Sequence, residues 1–165
     1  VLSVAASQSQ LTEDKEFIDL YVLGKRKNET ELAHYKLTNT LRDPYTTTTT
    51  NNQNTLVVEL VKTYDAKFVV GDVVETVLTE SNELVILDVE RNVLHTLPGA
   101  DLAKCTSNKL SYTIKSTRLI DRKAFLVTDS QNHVHVLELS MGYFNPRQIL
   151  LSQERSKKEA IIPSV

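Results

Sequence analysis

Short runs of Val, Ile, Leu, Thr and Tyr recur along the whole chain, and polar residues or single glycines separate them. Runs of this length that are rich in β-branched and aromatic residues predict strands, and the polar breaks between them predict turns. No long segment repeats its apolar residues with the period of an amphipathic helix. The pattern therefore predicts an all-β fold built from antiparallel hairpins.

The first predicted hairpin has a strand, a charged turn and a returning strand, over residues 17–23, 24–29 and 31–37. Alternate residues of a strand point to opposite faces. On the returning strand this places Ala33, Tyr35 and Leu37 on one face, and Leu32 and His34 on the other. Because the first set is more apolar, we expect that face to pack against the core.

Ten further segments carry the same strand pattern, over residues 55–61, 67–70, 73–79, 84–89, 93–97, 109–114, 116–120, 124–128, 133–139 and 147–151. Residues 45–54 interrupt the pattern with consecutive threonines followed by Asn-Asn-Gln-Asn, and they lack any apolar anchor. This composition predicts a low-complexity insertion. Residues 153–165 begin with a run of charged residues and predict a tail or linker.

An internal similarity links residues 77–89 with residues 126–139. Each segment has a strand that ends in Thr-acid-Ser, then a turn that contains Asn, then a strand that ends apolar-acid-apolar. If the second turn has one extra residue, Leu84 aligns with Val134 and Asp88 aligns with Glu138. The spacing of about 50 residues is that of one repeat in a repeat protein.

This repeat resembles the central strands of a WD40-like β-propeller blade, a four-stranded antiparallel meander. The continuous apolar run over residues 84–87 is what a strand packed on both faces shows. The chain has no Trp and no Gly-His start, so it is similar to divergent propellers rather than to regular WD repeats. The resemblance implies about three blades over residues 1–152, too few to close a ring. Together with the missing initiator Met, it favours a piece of a longer protein.

A closed lipocalin-like β-barrel is the alternative fold, because its length and its meander of strands also suit this chain. The absence of a Gly-x-Trp start and the repeat of about 50 residues count against that alternative.

Charge and cysteine content exclude several classes of protein. The 165 residues include 19 Lys and Arg against 21 Asp and Glu, a net charge of −2, so net charge does not predict nucleic-acid binding. A single Cys cannot form an internal disulfide. No run approaches the roughly 18 apolar residues that a membrane-spanning helix needs. We expect an intracellular protein.

Candidate chemistry is sparse. His133 and His135 alternate on a predicted strand and could face one metal ion, but His34, His95 and Cys105 have no spacing that supports a third ligand. Histidines that are exposed or at the edge of the core are the favoured interpretation. No Gly-rich phosphate loop or nucleophile elbow occurs. We therefore predict no catalytic, cofactor-binding or metal-binding residues, no cofactor, and a protein that is not an enzyme.

Two basic clusters are candidates for contact with RNA phosphates, one at residues 25–27 and one at residues 155–158. Acidic neighbours, among them Glu29 and Glu154, dilute both clusters. We expect a solvated hairpin tip and a solvated tail, with RNA contacted indirectly at most.

The resemblance implies a non-catalytic protein–protein interaction scaffold. The expected setting is a β-propeller subunit of a large eukaryotic nuclear or nucleolar assembly, such as a ribosome-biogenesis complex. Its partners would then be other protein subunits, with no membrane and no small-molecule substrate. The alternative function follows from the alternative fold, a carrier that binds a small molecule inside a lipocalin-like barrel.

Overall fold

A computed structural model of the chain describes residues 1–40 and 55–139. The predictions for residues 45–54, 147–151 and 153–165 lie outside this part. Apart from two short 3-10 helices, its regular structure consists of strands, which confirms the all-β fold. The strands are β1 (Ser3–Ala6), β2 (Gln10–Leu11), β3 (Lys15–Arg26), β4 (Glu29–Thr40), β5 (Thr55–Asp65), β6 (Val74–Leu78), β7 (Leu84–Asp88), β8 (Val93–Leu97), β9 (Thr106–Lys109), β10 (Ile114–Ile120), β11 (Ala124–Asp129) and β12 (Val134–Glu138).

These strands form three antiparallel sheets. The first has the order β1-β3-β4-β5 with β2 beside β3, the second has the order β6-β7-β8-β9, and the third has the order β10-β11-β12. None of the three sheets closes on itself within the described residues, so the closed lipocalin-like barrel is wrong for this part of the chain. The chain divides into two compact units, residues 1–69 and residues 70–165.

The first unit is built on a long hairpin of β3 and β4. Its turn is only two residues long, Lys27 and Asn28, with φ angles of 51° and 66°. Two consecutive left-handed residues match the right-handed twist of the flanking strands, and Asn tolerates this conformation well. The strands are therefore longer than predicted, and Gly24 and Glu29 belong to strands rather than to a turn.

One face of this sheet forms a buried core, which consists of Ala5, Tyr21, Leu23, Thr30 and Leu32. The segment after β5 covers the end of that face. The Ala66 backbone N–H donates to the Thr30 carbonyl oxygen, and Thr30 Oγ1 donates to the Val69 carbonyl oxygen at 2.8 Å. The expectation that Ala33, Tyr35 and Leu37 face the core is wrong, because they are only half-buried whereas Leu32 is fully buried.

In the second unit, the sheet of β6–β9 packs against the sheet of β10–β12. Their shared core consists of Val77, Val85, Leu87, Leu94, Leu110, Ile114, Phe125, Val127 and Leu137. All five residues of β7 are buried, as the continuous apolar run predicted. This burial means that β7 is covered on both faces. In β11 every second residue is buried, so that strand is covered on one face only.

The two similar segments form turns of the same conformation. In the first segment the Thr79 and Glu83 backbones are hydrogen-bonded, and in the second the Asp129 and His133 backbones are bonded in the same way. Asn82 and Asn132 both take the left-handed conformation, with φ of 63° and 65°. Thr79 is thus equivalent to Asp129, and the extra residue assumed in the second turn is not needed.

The matching turns nevertheless occupy different places. The first joins β6 to β7, the initial pair of its sheet, whereas the second joins β11 to β12, the later described pair of the next sheet. The first strands of the two sheets, β6 and β10, begin about 40 residues apart. The sequence similarity therefore records a shared turn type and does not mark the length of one sheet.

Candidate interaction surface

A broad apolar surface covers the second face of the first sheet. Two rows of side chains cross β3, β4 and β5 there, one with Ile18, Leu37 and Val58 and the next with Leu20, Tyr35 and Leu60. The members on β3 and β4 are half-buried, whereas those on β5 are exposed. We call these six side chains the apolar face.

Strand β5 is unusually apolar for an exposed strand. Its large apolar residues keep between 42% and 60% of their surface accessible, namely Leu56, Val57, Val58, Leu60 and Val61. Within the described residues β5 pairs only with β4, so its outer edge presents unpaired backbone donors and acceptors. Edge strands of monomeric proteins are usually protected by charge, Pro or short length, because an open edge templates pairing with another chain.

A β-bulge at Val61 controls where the charges of β5 point. Leu60 pairs with Tyr35 and Lys62 pairs with His34, so Val61 has no partner on β4. Glu59 pairs with Lys36. Because His34 and Lys36 are two residues apart on β4, they share a face, and Glu59 and Lys62 therefore share it too.

Polar contacts also lie on the face that carries His34, Glu59 and Lys62, which is opposite the apolar face. His34 Nε2 lies 2.8 Å from Asp19 Oδ1, and the His34 ring stacks on Tyr21 with 4.5 Å between ring centroids. Burial, and then the nearby Asp19 charge, raise the pKa of Tyr21 above its ordinary value. The Lys62 ammonium lies 4.9 Å from the centre of the Tyr64 ring. The His34 contacts thus join side chains of β3 and β4, and the Lys62 contact lies within β5.

The second unit gathers titratable groups around Asp129. Its Oδ1 accepts hydrogen bonds from the backbone N–H groups of Gln131 and His133, and its Oδ2 accepts one from His135 Nε2 at 2.8 Å. These bonds, the His135 bond first, hold the pKa of Asp129 below its ordinary value. The Tyr112 ring stacks on His135 with 3.7 Å between centroids, and burial raises the pKa of Tyr112 to about 12.

The histidines predicted to share a face do approach one group, since His133 Nδ1 also lies 3.6 Å from Asp129 Oδ2. His135 is buried and His133 is half-buried, so His135 lies deeper than the expected edge of the core. The carboxylate orders the turn and accepts the hydrogen bond of His135. The described part of the chain contains no group of three or more His, Cys, Asp or Glu side chains that could hold a metal ion.

The remaining candidate residues belong to different elements. His34 is on β4, whereas His95 is on β8 with its Nδ1 2.7 Å from Ser107 Oγ, and burial lowers the pKa of His95. Cys105 is half-buried, and burial raises the pKa of its thiol. An activated thiol nucleophile needs a lowered pKa, so the environment of Cys105 does the opposite.

One open groove of about 520 Å³ lies in the second unit and was not predicted from the sequence. The turn after β6, the turn after β10 and strand β12 line the groove, which places both turns on one side of the packed sheets. Its lining combines the cations Arg122 and Lys123 with the anions Glu80 and Glu138. The Asp-Arg-Lys turn at residues 121–123 is the only sign of this groove in the sequence. Polar turns of this kind occur in many hairpins, so it does not predict a groove.

The basic cluster at residues 25–27 is exposed at the hairpin tip, as predicted. Lys25 lies opposite Thr30, and Arg26 lies opposite Glu29, so an acidic side chain accompanies the cluster. The second cluster, at residues 155–158, lies outside the described residues. Contact of either cluster with RNA stays a prediction.

Comparisons of the chain with protein-family models, with curated proteins and with solved structures find no match. Among the described residues, no helix has the length and apolar character required to cross a membrane. Within the described residues, the exposed apolar side chains of β5 and the apolar face are the feature that most strongly indicates a function.

Proposed function

We propose that this protein is a non-catalytic interaction module that docks partner proteins on β5 and on the apolar face. The observation that carries the proposal is the exposure of Leu56, Val58 and Leu60 on one continuous face. Soluble proteins rarely leave large contiguous apolar patches in water, because burying them in an interface is favourable. Apolar side chains would supply the affinity, and the open edge of β5 would align the partner.

We further propose that the second unit is part of a β-propeller. The four-stranded meander β6–β9 and the face-to-face packing of the next sheet support this proposal. Propeller blades are antiparallel meanders of this kind that stack on their neighbours. A nuclear or nucleolar assembly, such as a ribosome-biogenesis complex, is the proposed setting, and it rests on the resemblance to WD40-like repeats alone.

The test is co-sedimentation of the tagged full-length protein with large complexes on a density gradient of cell extract. We expect the double variant Val58→Lys with Leu60→Lys to move from the heavy fractions to the light ones. Two charges on the apolar face would have to be desolvated for a partner to bind. Both sites are exposed, so the fold should tolerate the change.

The matched control is Leu11→Lys, which adds a charge at a leucine of the same unit that is 70% exposed but lies on β2. It should leave the sedimentation unchanged. A double variant that still migrates in the heavy fractions, with the far-UV circular dichroism of the unmodified protein, would show that β5 is not the docking surface.

A further inference from the structure

The outer edge of β5 has a charge pattern that complements itself. We propose that β5 pairs with β5 of a second copy of this chain, antiparallel and about a two-fold axis, so that two first sheets join into one. This inference rests on the proposed function, because it names the partner that the exposed strand takes. An isologous contact of this kind is the commonest route to a symmetric dimer.

One register satisfies the charges. When Glu59 lies opposite Lys62 of the partner subunit, the two-fold axis places Lys62 opposite Glu59 of the partner subunit as well. Each dimer then contains two cross-strand ion pairs, and each pair joins one negative and one positive side chain. Opposite charges directly across two antiparallel strands stabilise their pairing, and like charges oppose it.

The bulge at Val61 makes this register possible. In a regular strand, residues three apart point to opposite faces, so Glu59 and Lys62 could not serve one two-fold contact. Because Val61 has no partner on β4, the two charged side chains share a face in each copy. Facing residues of an antiparallel pair must lie on one face, and this condition is met.

The apolar residues agree with the same register. Leu60 meets Val61 of the partner subunit, and Val57 meets Tyr64 of the partner subunit. Val57 shares the face of Glu59, and Tyr64 shares the face of Lys62, so these residues also face each other correctly. A shift of the register by two residues places Glu59 opposite Leu60 or Tyr64 of the partner subunit and removes both ion pairs.

The strand ends do not oppose this pairing. Leu56 lies opposite Asp65 of the partner subunit, and the Asp65 carboxylate is held 3.4 Å from Lys67 Nζ of its own chain. The outer edge of β5 is free within the described residues, so new backbone hydrogen bonds can form along it.

The test is sedimentation velocity on the full chain over a concentration series. The unmodified chain should show twice the mass of one chain as concentration rises. Glu59→Lys and Lys62→Glu should each raise the dimer dissociation constant by about tenfold or more, since each variant replaces two attractive pairs with two repulsive ones. Glu75→Lys makes the same charge change on an exposed residue of β6 and should have no effect.

Mixing gives the sharpest result. Glu59→Lys and Lys62→Glu chains in equal amounts should form a mixed dimer, because every facing pair again has opposite charges. A chain carrying both changes should dimerise like the unmodified one. A dimer that ignores both variants, or variants that weaken it without rescue on mixing, would overturn the proposed register.

A chain that is monomeric at every concentration would overturn the second copy as the occupant of β5. In that case the density-gradient test decides whether β5 binds a different protein. If the double variant Val58→Lys with Leu60→Lys leaves the heavy fractions, β5 remains a docking surface for that protein. If the double variant had no effect either, the proposed function would fail as well.

Discussion

Asp129 accepts a hydrogen bond from His135 Nε2 at 2.8 Å with one oxygen and holds the turn between β11 and β12 with the other. The His135 imidazole lies in turn against the Tyr112 ring. One carboxylate thus joins a turn, a buried strand residue and an aromatic ring. We expect this group to control the stability of the second unit.

The pKa shift of Asp129 makes that stability depend on pH. Because the folded pKa is lowered, the contribution is fully present above the unfolded pKa of about 4 and is lost as pH falls through the folded pKa. Asp129→Asn should lower the urea midpoint at pH 7 and should flatten its decline below about pH 4. Urea titrations at several pH values measure both effects. Glu75→Gln, on an exposed strand position, is the control, and equal pH profiles for all three proteins would contradict this role.

Tyr112 tests which part of the same cluster stabilises the fold. Its hydroxyl is buried and has no hydrogen-bond partner within the described residues. Tyr112→Phe keeps the ring on His135 and removes the unpaired hydroxyl, so the free energy of unfolding should be unchanged or rise by about 1 kcal/mol. Tyr112→Ala should lower it by roughly 3 kcal/mol, because the stacked ring is lost. Denaturant unfolding separates the two, and a larger loss for Phe than for Ala would refute the assignment.

Gly71 allows a carboxylate to approach the backbone. Its N–H donates to Asp88 Oδ2 at 2.9 Å, and an added Cβ would lie 2.1 Å from Asp88 Oδ1. Gly71→Ala should therefore displace Asp88 and lower the free energy of unfolding by about 1–3 kcal/mol. At Gly24 an added Cβ would meet only Val1 Cα at 3.8 Å. Gly24→Ala should be neutral or stabilise by about 0.5 kcal/mol, and thermal unfolding of both variants gives the comparison.

The left-handed asparagines test the equivalence of the two turns. Asn82 and Asn132 hold corresponding positions with φ near +64°, which only Gly and Asn adopt easily. Changing either residue to Ala should lower the free energy of unfolding by about 1–2 kcal/mol, and changing it to Gly should restore most of that loss. A site at which Ala and Gly behave alike in chemical denaturation would show that its turn is not held in this conformation.

The local features of this fold were predictable from the sequence, because hairpins depend on residues close together in the chain. Most strand positions, the turn at Asp129 and the burial of β7 followed from runs of apolar residues and from Asn in the turns. Residues 67–70 and 110–113 were also predicted to lie in strands, but they form none. The face of the first hairpin that packs inward was not predictable. Both faces of β3 carry apolar side chains, and periodicity cannot say which of two apolar faces the rest of the chain will cover.

The candidate surface shows a similar limit. An apolar run such as residues 56–61 predicts a strand, yet nothing local indicates that it lies at an edge with both faces in water. The bulge at Val61 depends on its pairing with β4, so the shared face of Glu59 and Lys62 could not be seen in the sequence either. The partnership of Tyr112 with His135 also joins separate segments, and only the fold brings them together.

Hydrogen exchange over residues 55–65 tests the central claim most directly. It compares the chain at high dilution with the same chain in its native assembly purified from cells. If β5 is the docking strand, its amide groups should exchange markedly more slowly in the assembly, because the outward N–H groups become paired. The exposed strand β2 should exchange at the same rate in both samples. Equal exchange rates over residues 55–65 in the two samples would contradict the claim that β5 binds a partner.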